Sequence, residues 1–273
     1  MNTKIETLTL LGLGRTASIY ALPGKRVLKL FNPGTSPESV QREMERSQLV
    51  TRLNLPVPRF IESMQVDGRP GLVFERVQGT SMLHCLIRRP WQARRLGRDL
   101  GRLHSLIHHQ EGRSLPGVRP GLEWAIRHAT GLPADLLNPV LSTLFSLPDG
   151  QALCHADFHP DQVMMTDHGP VVLDWANALQ GHPLADVART TILIRLGQLP
   201  YGNRLLLAAI NGLRRQLLAG YLDEYFRLNP HFTRPDLNRW LAPVAAARLE
   251  ERIPGEAGPL LELVRLSLAG RGL

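Results

Sequence analysis

The chain of 273 residues has only two cysteines, Cys85 and Cys154. Two cysteines are too few for a disulfide framework, and without a C-x-x-C spacing they do not form a metal knuckle. So few cysteines are typical of a reducing compartment. No apolar run reaches the roughly 20 residues that a membrane-spanning helix needs. The N-terminus has Glu6 where a signal peptide would be apolar. We therefore expect a cytoplasmic protein without membrane contact, in which both cysteines are small buried side chains.

Lysine is also scarce, since only Lys4, Lys25 and Lys29 occur, although the formal net charge is +8. The positive charge comes mainly from arginines that are scattered along amphipathic stretches. Such a charge favours attraction to phosphates and anionic surfaces. Proteins that bind single-stranded nucleic acid combine basic residues with aromatic platforms, and aromatic residues make up 5% of this chain. The composition therefore argues against a nucleic-acid partner.

The N-terminal region has the alternating apolar pattern of β-structure. A G-x-G pattern, Gly12 and Gly14, falls between the first two strands. Glycines allow the backbone to approach a phosphate, but a turn between strands is not the strand-to-helix setting of a dinucleotide-binding fingerprint. Either a hairpin over phosphates or an ordinary glycine turn fits. The predicted strands are Thr7–Leu11, Ser18–Leu22, Arg26–Phe31, Arg59–Val66 and Pro70–Arg76.

Lys29 alternates with Leu28 and Leu30, and for an isolated lysine an exposed position is the commoner outcome. A helix is predicted over 37–53, with Ser36 as its N-cap. Glu43 lies on the same helix face as Ser47 and Val50. If that helix packs against the sheet, Glu43 is the better partner for Lys29; otherwise it is a solvated glutamate.

After Gly79 the pattern becomes helical, which places a boundary near residues 77–79. We predict a β-rich lobe over 1–78 and a mostly helical lobe over 79–273. The predicted helices cover 80–86, 91–108, 122–129, 138–147, 184–196, 201–226, 234–251 and 256–268.

The stretch from Cys154 to Trp175 interrupts these helices and contains two carboxylates in different settings. Asp157 lies in a polar run, whereas Asp174 follows an apolar strand, where a buried carboxylate needs a cation. The residues between them predict a β-hairpin with a Gly-Pro turn. The alternation of His155, Asp157, His159 and Asp161 also allows a metal-dependent hydrolase, and the simplest alternative is a polar loop before a hairpin.

Taken together, these segments resemble the aminoglycoside phosphotransferase family, bacterial enzymes of protein-kinase-like fold. The resemblance covers nearly the whole chain and rests on five motifs in order. They are Gly12-x-Gly14-x-x-Ala17-x-Ile19 with Ser18, similar to the glycine-rich loop; Val27-Leu28-Lys29 with Glu43, similar to the lysine–glutamate pair; Phe74 to Gly79, similar to the hinge; His155-Ala156-Asp157-Phe158-His159-Pro160-Asp161-Gln162, similar to the catalytic loop HGDxHPxN; and Leu173-Asp174-Trp175, similar to the IDW motif.

The resemblance implies an α+β, bilobal fold with a small antiparallel N-lobe that contains one helix. It also implies an enzyme that moves the γ-phosphate of ATP to a hydroxyl of a small molecule, with Mg²⁺ as cofactor. The implied roles are ATP contacts for Gly12, Gly14, Ser18 and Lys29, with Glu43 holding Lys29; adenine contacts for Glu75 and Val77; metal binding for Asp174 and Gln162; and catalysis by Asp157, with His155 bracing its loop. Asp186 matches a family position that is usually structural.

Gln162 replaces the asparagine of the family motif, and its extra methylene moves the ligand oxygen by about one bond length, where Mg²⁺ demands near-ideal octahedral geometry. A nucleotide-binding regulator with weak or absent transfer therefore stays open as an alternative. Ala156 replaces a glycine, which is tolerable where φ is negative. The acceptor stays open, as does the oligomeric state. Residues 187–273 contain 12 Arg and 7 acidic residues, so a neutral or anionic acceptor is favoured, although Asp223, Glu224, Glu250, Glu251 and Glu256 could contact a cation.

Overall fold

The computed structural model describes residues 4–197 and 204–271. Contacts between residues divide the chain into two compact units. The first unit consists of Met1–Met82 and Asp161–Asn177, and the second consists of Leu83–Pro160 and Ala178–Leu273. The segment 161–177 thus groups with the N-terminal unit, whereas the predicted lobe boundary at residues 78 and 79 stays a prediction.

The first unit is built on a five-stranded antiparallel sheet in the order β1-β2-β3-β5-β4. One sheet face buries Leu28 and Leu30, and the other buries Phe31 and Leu72. Because side chains alternate along a strand, Lys29 shares the face of Phe31. The strands are β1 (Thr9–Leu13), β2 (Ala17–Leu22), β3 (Arg26–Phe31), β4 (Phe60–Val66) and β5 (Arg69–Glu75).

Helix α1 (Pro37–Thr51) packs on the Phe31 face of this sheet through Val40 and Met44. It begins where the sequence predicts, because the hydroxyl of Ser36 accepts a hydrogen bond from the backbone N–H of Ser39. The first strand begins at Thr9 and not at Thr7, since Ile5–Thr7 forms a short 3-10 turn.

A three-stranded sheet completes the first unit, with β6 (Thr80–Ser81), β8 (Val163–Thr166) and β9 (Gly169–Val172) in the order β6-β8-β9. The hairpin predicted between Asp157 and Asp174 is confirmed. Its turn is closed by the hydroxyl of Thr166, which donates to the carbonyl of Gly169 over 2.6 Å. Gly169 has a φ of 111°, which favours glycine. The hairpin register pairs Val163 with Val172. The residue before Val163 and the residues after Val172 therefore lie at the open end of the hairpin.

The second unit is mainly helical. Helices α3 (Ala93–His108) and α7 (Arg204–Leu228) approach closely, since a Cβ on Gly101 of α3 would lie 2.6 Å from the carbonyl oxygen of Tyr221 on α7. Strands β7 (Ala152–Cys154) and β10 (Leu179–Gly181) pair as a small antiparallel sheet. The helices are α2 (Met82–Arg88), α3 (Ala93–His108), α4 (Val118–His128), α5 (Ala134–Ser146), α6 (Pro183–Leu196), α7 (Arg204–Leu228), α8 (Arg234–Arg248) and α9 (Ala257–Leu268).

Two helices, α4 and α5, begin four residues earlier than predicted, and both contain a proline close to the predicted start. Pro120 lies in the first turn of α4, where its missing N–H costs nothing. Pro139 lies inside α5, which begins at Ala134. The pairing of β7 with β10 was not predicted. The predicted start of the seventh helix at Tyr201 lies outside the described residues.

Two further expectations concern the cysteines and the membrane. Cys85 and Cys154 are both free thiols, and Cys154 is buried, as expected, whereas Cys85 is only partly buried. Among the helices that the structure describes, none is both long and apolar enough to cross a bilayer.

Candidate active site

Lys29 forms ion pairs with two carboxylates inside the first unit. Its Nζ lies 2.5 Å from Oε1 of Glu43 on α1 and 2.8 Å from Oδ1 of Asp174, which follows β9. The Lys29 side chain is only 13% exposed, so the expectation of an exposed strand lysine was wrong. The pairing arises because α1 covers the sheet face from which Lys29 projects.

This ion pair has an electrostatic consequence for Lys29. Burial alone would lower the pKa of Lys29, but the charges of Asp174 and Glu43 more than offset it and raise the pKa above its ordinary value. Lys29 is therefore a fixed cation at neutral pH. A fixed ammonium between two carboxylates suits a phosphate group, which can replace one of the carboxylates as its partner.

Asp174 and Gln162 lie at the same end of the β8–β9 hairpin. The backbone N–H of Leu173 donates to the carbonyl of Gln162 over 2.8 Å, which holds the two segments together. Asp174 has a φ of 54° and a side chain that is 42% exposed. A carboxylate and an amide are both hard oxygen ligands, the donor set that Mg²⁺ prefers. Asp174 and Gln162 therefore fit a magnesium site. Oδ1 of Asp174 is at the same time the ion-pair partner of Lys29.

Helix α1 also fixes the segment that follows Asp174. The guanidinium of Arg46 donates to the backbone carbonyl of Ala176, and α1 packs against the 3-10 turn Trp175–Asn177. The position of Asp174 thus depends on the same helix that supplies Glu43.

The glycine-rich segment forms the tight end of the β1–β2 hairpin. The N–H of Gly14 donates to the carbonyl of Ala17 over 2.9 Å, and a β-bulge separates Leu10 from Gly12. Ser18 is buried in β2, paired with Leu30 of β3. These residues are thus strand neighbours of the segment that carries Lys29.

The predicted hinge residues follow the last long strand of this sheet. Glu75 is exposed and ends β5, and its N–H donates to the carbonyl of Arg59 over 2.9 Å. Val77 is half-buried and lies between β5 and β6.

The second unit contains Asp157, on a loop that follows β7. The N–H of Asp157 donates to Nδ1 of His155 over 3.3 Å, and His155 is fully buried. The side chain of Asp157 is 27% exposed, with Arg189 Nη2 at 3.7 Å and His159 Nε2 at 3.8 Å. His155 therefore braces the loop from within, while the Asp157 carboxylate stays partly accessible.

The loop is strained at Ala156, which has a φ of 63°. From the sequence, alanine is expected to be tolerable here at a negative φ, and the left-handed value corrects that expectation. This conformation costs a residue with a Cβ about 1–2 kcal/mol. It persists because the N–H groups of His155 and Ala156 both donate to the carboxylate of Asp186, over 2.5 and 2.9 Å.

Asp186 is the centre of a buried polar cluster that the sequence only partly indicated. Its Oδ2 also lies 3.1 Å from Nε2 of His104 and 3.4 Å from Nε2 of His108. Because a carboxylate only accepts, both Nε2 atoms must carry the proton. Both Nδ1 atoms then accept from tyrosine hydroxyls at 2.7 Å, Tyr221 for His104 and Tyr225 for His108.

The pKa values of this cluster follow from its burial. Burial alone would raise the pKa of Asp186, but His104 and His108 hold it well below its usual range. Burial and, after it, the neighbouring His108 lower the pKa of His104 to about 4. At neutral pH His104 is thus a neutral donor to the Asp186 carboxylate.

His104, His108 and Asp186 are also, among the residues that the structure describes, the one group of three side chains whose ligand atoms converge as metal ligands do. All three are buried and already hydrogen bonded to one another. The metal site considered for the alternating histidines and aspartates near Asp157 is not found within the described ranges.

One face of α6 supports the whole Asp157 loop. Asp186, Arg189 and Thr190 are spaced at i, i+3 and i+4, so they share that face. Asp186 holds two loop N–H groups, Arg189 lies beside Asp157, and the hydroxyl of Thr190 donates to the carbonyl of Phe158 over 2.9 Å. The sequence did not indicate Arg189, although its spacing from Asp186 could have done so.

Both units have the secondary structure of a protein-kinase-like phosphotransferase: an antiparallel sheet with one helix, and a mostly helical part that holds the Asp157 loop. The sequence over residues 7–231 matches the model of the Phosphotransferase enzyme family, and the chain belongs to this family. No curated protein sequence matches the chain.

Solved structures of low identity share the fold. A thermostable mutant of the aminoglycoside phosphotransferase APH(4)-Ia, bound to AMP-PNP and hygromycin B, is similar with a TM-score of 0.64 and 15% identity over 97% of this chain and 93% of that one. An amicoumacin kinase bound to AMP-PNP and Ca²⁺ is similar with a TM-score of 0.61 and 15% identity, over 97% of this chain and 88% of that one. The choline kinase of Cryptosporidium parvum Iowa II is similar with a TM-score of 0.58 and 10% identity, over 95% of this chain and 88% of that one.

Proposed function

We propose that this protein transfers the γ-phosphate of ATP to a hydroxyl group of a small molecule. The observation that supports this most strongly is the convergence of Lys29, Glu43 and Asp174, which come from distant parts of the sequence, into one ion-pair cluster. Membership of the phosphotransferase family supports the reaction class. Similar folds are known with AMP-PNP and with small acceptors such as hygromycin B, which supports the choice of nucleotide and of acceptor size.

In this proposal the first unit binds the nucleotide. Lys29 contacts the α- and β-phosphates and is held in place by Glu43, while Gly12, Gly14 and Ser18 belong to the hairpin that covers the phosphates. Backbone groups of Glu75 and Val77 meet the adenine. Phosphoryl transfer depends mainly on positioning and charge neutralisation, so a rigid lysine is the central requirement.

Asp174 and Gln162 would hold Mg²⁺, since both offer oxygen ligands at one end of the hairpin. When bound, the ion neutralises charge on the phosphates. Lys29 contributes to the same neutralisation from the protein, and its raised pKa keeps the charge in place.

Asp157 would act as the base. It takes the proton of the acceptor hydroxyl as the oxygen of that hydroxyl forms a bond to the γ-phosphorus; the bond from this phosphorus to the bridging oxygen breaks, and ADP leaves. His155, Asp186 and Thr190 keep the loop in position, and the partial exposure of Asp157 leaves its carboxylate open to an acceptor.

The test is ATP consumption by the purified protein with Mg²⁺ and a pooled panel of hydroxyl compounds. Asp157→Asn should lower turnover by about 100-fold or more, the usual loss for a missing base, and should still bind AMP-PNP. Asp167→Asn, in the exposed turn of the β8–β9 hairpin, is the matched control and should retain activity. An Asp157→Asn protein with the wild-type rate would refute the assignment.

A second candidate is a nucleotide-binding regulator that transfers phosphate poorly. The observation that favours it is Gln162, which replaces the asparagine of the family motif. This candidate expects AMP-PNP binding with no turnover on any acceptor, and Gln162→Asn should then restore transfer.

A further inference from the structure

The acidic residues that could bind a cationic acceptor are mostly neutralised. Asp223 pairs with Arg94 at 2.9 Å and with Arg234 at 2.8 Å. Glu224 pairs with Arg102 at 2.6 Å and with Arg227 at 2.9 Å. These pairs cancel the charge that would attract a polycation. These two carboxylates therefore do not form an acidic pocket.

Two further acidic candidates, Glu251 and Glu256, are paired as well. Arg248 is only 7% exposed and donates twice to Glu256, at 2.6 and 2.9 Å, and once to Glu251, at 3.0 Å. Glu251 also accepts from Nη1 of Arg189 at 2.5 Å. Of the five acidic candidates in this part of the chain, only Glu250 is left without an arginine partner among the described residues.

Arg189 is the cation beside Asp157, and its hydrogen-bonding capacity is not filled. Nη1 is bonded to Glu251, but Nη2 lies 3.7 Å from Asp157, too far for a hydrogen bond. Nε is buried and has no hydrogen-bond partner in the described part of the chain. A buried donor without a partner is costly, so a hydrogen bond to Nε would be favourable.

The two unfilled donors lie on the same edge of the guanidinium. Nε–H and one Nη2–H point in parallel, and this fork matches the two oxygens of a carboxylate or a phosphate ester. Because Nε is covered, an oxyanion that uses the whole edge must displace the side chains that cover it. An anion placed here also lies beside the Asp157 carboxylate, which repels it. The positive charge of Arg189 offsets this repulsion.

We infer that the acceptor of the proposed phosphotransferase is an alcohol that carries an oxyanion, a carboxylate or a phosphate ester, and that Arg189 binds this group beside Asp157. The inference rests on the proposed function and adds the charge class of its acceptor. Arg189 is then a residue that determines specificity, and Asp157 remains the base.

The first experiment compares acceptors of similar size on the unaltered protein. Glycerate and glycerol 3-phosphate are anionic, glycerol is neutral, choline is cationic, and hygromycin B represents the polycations. Phosphorylated product is measured for each with ATP and Mg²⁺. The expected result is a kcat/KM at least about tenfold higher for an anionic acceptor, the effect of one charge-assisted hydrogen bond. A preference for choline or hygromycin B would overturn the inference and leave the proposed function intact.

The second experiment separates binding of the anion from action on the base. Arg189→Gln should raise KM for the anionic acceptor by about 10- to 100-fold, because a pair of charge-assisted bonds is lost, while kcat changes little. Arg189→Lys, which keeps the charge but not the fork, should be intermediate. Arg94→Gln, which breaks the pair with Asp223, is the control and should behave as wild type.

Each remaining outcome also decides the question. An equal fall of kcat for anionic and neutral acceptors would mean that Arg189 acts on Asp157 or on the transferred phosphoryl group, and would overturn the inference. If Arg189→Gln does not fold, the acceptor comparison on the unaltered protein still decides. No transfer to any acceptor, despite AMP-PNP binding, would overturn the proposed function and this inference with it.

Discussion

The buried histidine cluster predicts how stability depends on pH. His104 is fully buried, and its pKa is lowered from an ordinary 6.5 to about 4 by burial and by neighbouring His108. The unfolded chain therefore binds a proton at a higher pH than the folded protein does. Stability is fully present above about pH 6.5 and is lost as the pH falls towards 4. The other groups that face His104 are Asp186, His155 and Tyr221.

The size of the effect follows from the two pKa values. One group with these values costs about 2 kcal/mol of unfolding free energy between pH 7 and pH 5, and about 3 kcal/mol over its whole titration. His182 acts in the same direction, since burial lowers its pKa to about 4. Asp186 does not contribute in this window, because its pKa lies well below its usual range.

The perturbation is His104→Gln, which keeps a donor for Asp186 but cannot take up a proton. Urea unfolding at pH 7, 6 and 5, followed by far-UV circular dichroism, gives the free energy of each protein. The variant should be less stable at pH 7, yet its loss between pH 7 and pH 5 should be about 2 kcal/mol smaller than that of the wild type. Parallel curves for the two proteins would refute the assignment of a neutral, buried His104.

Three other substitutions test the site. Lys29→Ala should weaken AMP-PNP binding at least about tenfold in calorimetry, because it removes a charge-assisted contact, whereas Lys4→Ala should bind normally; equal affinities would contradict the role of Lys29. Gln162→Asn should raise kcat if the longer side chain misplaces its oxygen, and a fall would show that the site is adapted to glutamine. Ala156→Gly should stabilise the protein by up to about 1 kcal/mol, since it relieves a positive φ. The control Ala125→Gly, within α4, should destabilise the protein by about that amount. Two stability changes of the same sign would contradict backbone strain at Ala156.

Local patterns predicted much of the first unit. The alternation around Lys29 and the helix face of Glu43 are both short-range features, so their pairing could be anticipated once the helix was assumed to pack on the sheet. The hairpin before Asp174 was equally clear, because its turn residues have known preferences. Predicting the second partner of Lys29 from the residues alone was not possible, since Asp174 is 145 positions away.

The support of the Asp157 loop could not be predicted in this way. Asp186 and Arg189 reach the loop through the packing of α6, and no local pattern records that contact. His104 and His108 occupy polar positions at i and i+4 on α3, a spacing that signals a shared face but not its partner. The positive φ of Ala156 depends on the same distant carboxylate, which is why a residue other than glycine is held there.

The most direct test of the central claim is to follow the γ-phosphate itself. The protein is incubated with ATP, Mg²⁺ and the pooled acceptors, and ³¹P NMR identifies where the phosphate goes. A new phosphate monoester should form in step with ADP, and it should be absent with Asp157→Asn. ADP accompanied only by inorganic phosphate, or no ADP at all although AMP-PNP binds, would contradict the account.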